Sequence, residues 1–406
     1  MKKAVKLLSV LSAFFLGINI LFIPARAEKI STEYLSGDIL EDVKSSPASA
    51  GVSNLDIKAK AVVLMEPKTN TVLYENNKDK KLAPASVTKI MSLLIIMEAI
   101  ENERINLKTV VTASDHAASM GGSQIWLKPN EQMTVDELLR ASVIASANDA
   151  TVALAEAVCG SEEVFVENMN VRAAELGMKN THFVNACGLD ADGHYTSAYD
   201  VALMSSALIK HDLIKKYSTV WMDALRNGKS ELVNTNKLVR YYDGATGLKT
   251  GTTSKAGCCV SATAKKNNME LVAVVMGGEN SNERFSGAKK LLDFGFANWS
   301  FVNLKADMNG DNRIPVKKGM AKYATYEATG EANILLKKGK AGKIEQQIEL
   351  DSDLKAPVLT GDVIGKVKFV SDKNTLAEVD ITSASTVEAV NFMNCLFEII
   401  KKLLCP

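Results

Sequence analysis

The stretch APASVTKIMSLLIIMEAI, from Ala83 to Ile100, constrains this chain more than any other. Beyond its first turn it reads as buried hydrocarbon, so a helix here is expected to be enclosed by other elements rather than laid on a surface. Pro84 precedes it, and Ser86 is a good N-cap or first-turn residue, which predicts a helix from about Ser86 to Glu101. At the mouth of that helix stand a serine and a lysine. The i, i+3 spacing of Ser86 and Lys89 puts both side chains on one face, about 5–6 Å apart at Cβ. They either face water or form a nucleophile and its base.

The surrounding pattern supplies the enclosure. KAKAVVLMEPKTNTVLYEN reads as a hairpin around PKTN. Helical patterns recur in TVDELLRASVIASANDATVALAEAVCG, SEEVFVENMNVRAAELGM and SAYDVALMSSALIKH, with Gly160 and Gly177 as stops. Strand patterns return in GATGLKTGTTSKAGCCVSATAKKNNMELVAVVMGG, and NERFSGAKKLLDFGFANW closes as a helix. A sheet built from both ends and covered by helices predicts an α/β or α+β domain over 55–300. Beyond about Phe301, short alternating runs separated by Gly, Asp and Asn predict a small β-rich domain over 301–384. No catalytic constellation is found there.

The ends bear on where the protein works. MKKAVK, then LLSVLSAFFLGINILFI, then Ala25 and Ala27 around Arg26 form an A-x-A cleavage signal. Residues 1–27 thus read as a signal peptide cut after Ala27, the alternative being an uncleaved anchor helix; 28–54 reads as a linker. In the tail, 386–405, apolar residues including Phe392, Leu396, Ile399 and Leu403 fill one half of the wheel, and Glu388, Glu398, Lys401 and Lys402 lie in the other. That pattern predicts an amphipathic helix lying in a lipid interface, or one docked on the protein's own core.

A net charge of +1 gives no support for nucleic acid as a partner. The 4 histidines lie far apart and the 6 cysteines match no metal or disulfide framework, so no metal is expected. Cys258 and Cys259 are neighbours on a predicted strand and should point to opposite faces.

S-x-x-K alone is weak: Ser286/Lys289 and Ser352/Lys355 also match it and read as solvated surface. Ser86 differs in its company. SAN at Ser146-Ala147-Asn148 and KTG at Lys249-Thr250-Gly251 each occur once, in order after it. A helix N-terminus favours an oxyanion formed by attack of Ser86 on a carbonyl. Lysine acts as a base only when burial or a second nearby cation lowers its pKa, and Lys249 offers that cation.

These three motifs, with LAPASVTKIM, SANDA, GLDADGHYTSAYDVALM and TGLKTGTTSKAG, resemble the low-molecular-mass penicillin-binding proteins, serine-type D-alanyl-D-alanine carboxypeptidases. The resemblance implies a serine β-lactamase/transpeptidase-like domain with a central antiparallel sheet, a β-rich domain and a C-terminal anchor on the outer face of the cytoplasmic membrane. It implies no cofactor. Its substrates are peptidoglycan stem peptides ending in D-Ala-D-Ala, with β-lactams as covalent inhibitors. Carried over by position, it implies Ser86 as nucleophile, Lys89 as base and Ser146 as proton relay. Asn148 holds Lys89 and a substrate amide. Lys249 and Thr250 attract the terminal carboxylate, Gly251 lets substrate backbone lie close, and the N–H groups of Ser86 and Thr252 form an oxyanion hole. Thr252 replaces a histidine found in some members. Arg284 either helps with the carboxylate or serves a structural ion pair. His194 is implied to be a structural hydrogen-bonding residue.

A β-lactamase is the nearest rival, disfavoured by the absence of an E-x-x-L-N segment. A D,D-endopeptidase shares the site. A non-catalytic wall-binding protein on the same fold is the alternative of a different class.

Overall fold

The computed structural model describes residues 33–34, 55–308, 310–338, 343–371, 374–392 and 396. The signal peptide, most of the linker and most of the tail predicted above lie outside these residues. The chain divides into two compact units. One comprises 37–302 with 333–341, and the other 1–36, 303–332 and 342–406.

The larger unit is built on a five-stranded antiparallel sheet. Its strands are β1 (Ala61–Glu66), β2 (Thr71–Asn76), β3 (Ala245–Thr253), β4 (Gly257–Lys266) and β5 (Met269–Gly278). The order across the sheet is β2-β1-β5-β4-β3, so the early hairpin joins the late strands through the β1–β5 pairing, Val63 opposite Val274. The alternation of side chains along β5 divides the core in two. Leu271, Ala273 and Val275 join a cluster with Leu291 and Leu292 of the closing helix, Ser281–Asn298. Val272, Val274 and Met276 join a larger cluster on the other face.

That larger cluster encloses α1, Lys89–Glu101, whose residues from Lys89 to Met97 are all buried. The hydrocarbon pattern is therefore the signature of a central helix. Its start differs from the expectation. Ser86 neither caps nor opens it; Ala85–Thr88 forms a 3₁₀ turn and the α-helix begins at Lys89. The long helical run after Thr134 is also interrupted. A helix Val135–Arg140, opened by a Thr134/Glu137 capping box, passes into a π-type turn, Ala141–Ala145, and ends on Ser146 in the left-handed region (φ 63°). A new helix, α2, runs from Asn148 to Cys159 and stops at Gly160.

The smaller unit is β-rich, with a six-stranded sheet that includes Tyr323–Thr329, Glu345–Leu350, Val363–Ser371 and Asn374–Ser383. Two details depart from the sequence boundaries. Residues 333–341 cluster with the larger unit. Residues 387–390, assigned above to the tail, are held in extended bridges: Val387 pairs with Val358 and Val390 N donates to Lys318 O. Among the described residues no helix is long and apolar enough to cross a membrane.

Candidate active site

The turn carrying Ser86 is clamped by two close backbone approaches. Ala85 sits at φ 49°, a left-handed conformation that costs on the order of 1–2 kcal/mol. It is held there by Gly188, at φ 89°, where a Cβ would stand 1.9 Å from the Ala85 carbonyl oxygen. On the other side a Cβ on Gly251 would stand 2.8 Å from the Ser86 nitrogen. The glycine of KTG is thus required by the turn itself, before any substrate arrives. Gly188→Ala is expected to destabilise the protein by at least about 2 kcal/mol and to lower penicillin acylation together with Tm, since the added methyl must push the Ser86 turn aside. Calorimetry and labelling with a fluorescent penicillin measure the two losses; unchanged values in both would reject the clamp.

Lys89 is fully buried (0% exposed). Its Nζ lies 3.1 Å from Ser86 Oγ, 2.5 Å from Asn148 Oδ1 and 2.7 Å from the Cys187 carbonyl oxygen. Asn148 Nδ2 donates to the Gly121 carbonyl at 2.6 Å, which turns Oδ1 toward the lysine. An ammonium would donate to all three acceptors. A neutral amine keeps two N–H donors for Asn148 and Cys187 and directs its lone pair at the serine hydroxyl. Burial favours that neutral form and brings the Lys89 pKa down to about 8.

Ser146, placed by its left-handed backbone, accepts from Lys249 Nζ at 2.8 Å. Lys249 is 1% exposed and also donates to its neighbour's carbonyl, Thr250 O, at 3.2 Å. Its pKa falls well below the ordinary lysine value, first through burial and then through the charges of Lys89 and Arg284. Burial is the first cause for both amines, and the two lysines also repel each other.

The S-x-x-K, S-x-N and K-T-G residues thus converge. Ser286, Lys289, Ser352 and Lys355, by contrast, are all exposed. Arg284 is 8% exposed and donates to the Gly251 carbonyl at 3.2 Å and to Thr252 Oγ1 at 2.8 Å. It pairs with no carboxylate among the described residues and braces the end of β3. His194 Nδ1 accepts from the Val184 N–H at 2.9 Å, which leaves Nε2 protonated and donating to Thr88 Oγ1 at 2.8 Å. Burial lowers its pKa to about 4, so it is a neutral brace for the turn before Lys89. Cys258 and Cys259 are both free and buried.

Sequence reasoning missed the Cys187 and Gly121 carbonyls, the Gly188 clamp, and Thr235, which accepts from Thr250 Oγ1 at 2.8 Å. It also missed Asp149, whose buried carboxylate accepts from the N–H groups of Ile125 and Leu127 and pins the loop before it. Backbone carbonyls carry no residue signature, so only the GLDADG phrase pointed to this neighbourhood.

A buried lysine touching a serine, a second buried lysine on a second serine, and an asparagine that orients the first lysine define a penicillin-recognising serine acyl-enzyme site on a transpeptidase-like domain. The comparisons then place the chain. Residues 48–280 match the family model for D-alanyl-D-alanine carboxypeptidase, and 306–389 match the model for the penicillin-binding protein 5 C-terminal domain. The D-alanyl-D-alanine carboxypeptidase DacF of Bacillus subtilis (strain 168) is 42% identical over 348 residues, 85% of this chain and 90% of that protein. The crystal structure of penicillin-binding protein 5 from Haemophilus influenzae superposes with a TM-score of 0.72 at 33% identity, covering 83% of this chain and 100% of that one. Penicillin-binding protein D2 from Listeria monocytogenes, solved in its ampicillin-bound form, matches at 30% identity and a TM-score of 0.53, covering 60% of this chain and 99% of that one. The chain belongs to the D-alanyl-D-alanine carboxypeptidase family, among the low-molecular-mass penicillin-binding proteins. It is a serine-type D-alanyl-D-alanine carboxypeptidase.

Proposed function

We propose that Ser86 removes the terminal D-alanine from peptidoglycan stem peptides through an acyl-enzyme. Ser86 Oγ attacks the carbonyl carbon of the penultimate D-alanine while its proton passes to neutral Lys89. The oxyanion is received by the N–H groups of Ser86 and Thr252. Ser146 relays the proton taken up by Lys89 to the leaving nitrogen, the amide C–N bond breaks, free D-alanine departs and Lys89 is neutral again. Lys89 then deprotonates a water, which attacks the Ser86 ester and releases the shortened peptide as a carboxylate. Asn148 holds Lys89 and a substrate amide, and Lys249 with Thr250 draws the terminal carboxylate. Arg284 acts on that carboxylate through Thr252, whose hydroxyl it touches.

The observation that carries this reading is the Lys89 amine, buried, lowered toward neutrality and in contact with Ser86 Oγ. β-Lactams are the covalent inhibitors expected of it. Measuring D-alanine release from a free pentapeptide against cleavage of a cross-linked dimer tests the choice of bond. Preferential dimer cleavage would make the protein an endopeptidase. An inert Ser86 would leave only a wall-binding module.

Lys249→Ala is expected to slow penicillin acylation by about 10²–10³-fold, on the scale of losing one preorganised electrostatic contact. Tm should stay the same or rise, because a buried amine without a carboxylate partner is removed. A variant that melts early with normal acylation would mark a structural lysine.

The domain assignment is proposed on the same footing: export by residues 1–27, a catalytic domain over 55–300, and peripheral attachment to the outer face of the cytoplasmic membrane through the tail. Phe392 and Leu396 are both exposed, as an interface-seeking face requires. Because Val387 and Val390 are bonded within the β-rich unit, the informative truncation stops after Asn391. It is expected to move the protein from membrane to soluble fractions with the β-rich unit intact; unchanged fractionation would reject the anchor.

A further inference from the structure

Trp126 is 73% exposed, whereas the other two tryptophans, Trp221 and Trp299, are half-buried. Its backbone is at φ 59°, a left-handed conformation that is a genuine outlier for a bulky residue. The strain is held by its neighbours. The N–H groups of Ile125 and Leu127, on either side of it, both donate to the buried carboxylate of Asp149, at 3.1 and 3.0 Å. Arg226 Nη1 donates to the Ile125 carbonyl at 2.8 Å. A large indole is thus fixed in water on a rigid backbone, at the edge of a groove of about 600 Å³.

The groove has polar lining beside its one aromatic residue. Lys128, Asn130, Glu131 and Arg226 line it with Trp126. Arg226 is turned inward onto Glu131, Ile125 O and Ser230, and Lys128 has no ion-pair partner among the described residues. An apolar anchor seated here would strand the Lys128 ammonium. A pyranose ring satisfies both kinds of lining. Its C–H face stacks on the indole, while its hydroxyls and acetamide meet the Lys128 and Asn130 side chains. The volume is within the range of small-ligand clefts.

Both parts of this lining lead along the chain to the catalytic residues. The loop begins at Gly121, whose carbonyl accepts from Asn148. Arg226 and Ser230, which also line the groove, belong to the hairpin of Met222–Leu225 and Ser230–Val233, two residues before Thr235, which is bonded to Thr250. Trp126 is five positions along the chain from Gly121, a reach of at most about 18 Å. Four extended peptide residues before the scissile bond span about 14 Å. A stem peptide of that length is compatible with a sugar held in this groove.

We propose that the groove beside Trp126 is a subsite for the N-acetylated amino sugar to which the stem peptide is attached, so that the enzyme recognises glycan as well as peptide. This rests on the carboxypeptidase reading above.

The test compares the full chain with Trp126→Ala and Trp126→Phe. D-alanine release is measured from a free pentapeptide and from the same peptide on a GlcNAc-MurNAc disaccharide, with penicillin acylation in parallel. The wild type is expected to show a KM about tenfold lower for the disaccharide substrate, the scale of losing one aromatic contact. Trp126→Ala should erase that difference and Trp126→Phe keep most of it, with free-peptide turnover and acylation unchanged. Equal KM values in the wild type would overturn the subsite. So would a Trp126→Ala loss of the same size on both substrates, which would assign the groove to peptide or to loop stability. Titration with the peptide-free disaccharide, followed by tryptophan fluorescence, reads the subsite without turnover. A response lost in Trp126→Ala supports the subsite even in a protein that releases no D-alanine, a result that would sink only the carboxypeptidase reading.

Discussion

Ser86→Ala is expected to abolish both covalent labelling by penicillin and D-alanine release, a loss of at least about 10⁴-fold, comparable to deleting the nucleophile of other serine hydrolases. The effect is large because no second hydroxyl can take over. Ser146 Oγ is already engaged by Lys249, and the Lys89 lone pair is aimed at Ser86. Folding should survive. Ser86 is only partly buried, its contact with Lys89 is the sole side-chain bond it makes among the described residues, and the turn is held by Gly188 and Gly251 through backbone contacts. Intact-mass spectrometry after penicillin treatment gives the answer directly. A covalent adduct on the alanine variant at the wild-type rate would refute the assignment of the nucleophile.

The second large effect belongs to Lys89. The rate of penicillin acylation should rise about tenfold per pH unit below about 8 and level off above it, because only the neutral amine can accept the serine proton and its pKa is lowered to about 8. An unperturbed lysine would place that plateau near 10.4. Lys89→Met keeps an unbranched chain in the buried channel and removes the amine. Acylation should fall by about 10³-fold or more and lose its rising limb. Stopped-flow acylation across pH separates the outcomes. A rising limb that persists in Lys89→Met would assign the titration to another group and remove Lys89 from the role of base.

Part of this was legible in the order of residues alone. S-x-x-K, S-x-N and K-T-G are local patterns, so their side chains announce themselves. The hydrocarbon run Leu93–Met97 could belong only to an enclosed helix, and the pairing of early with late strands followed from their composition. Arg284 was legible as a residue near the site but its partners were not. It meets Gly251 and Thr252, and no spacing rule links positions that a strand and a helix bring together. Ser86 was placed on the helix because propensity does not register a 3₁₀ turn. That turn is set by Gly188, which packs onto it from a distant part of the chain.

The sequence by itself determined which groups are available: two serines, two lysines, an asparagine and a glycine-flanked strand, in an order that fixes the class of chemistry. Only the tertiary structure decided their protonation. A lysine is ordinarily a charged spectator, and nothing in its neighbours along the chain alters that. Enclosure of Lys89 by α1, the Cys187 carbonyl and Asn148 takes water away from the ammonium, and the cost of holding a charge there is what turns it into a base.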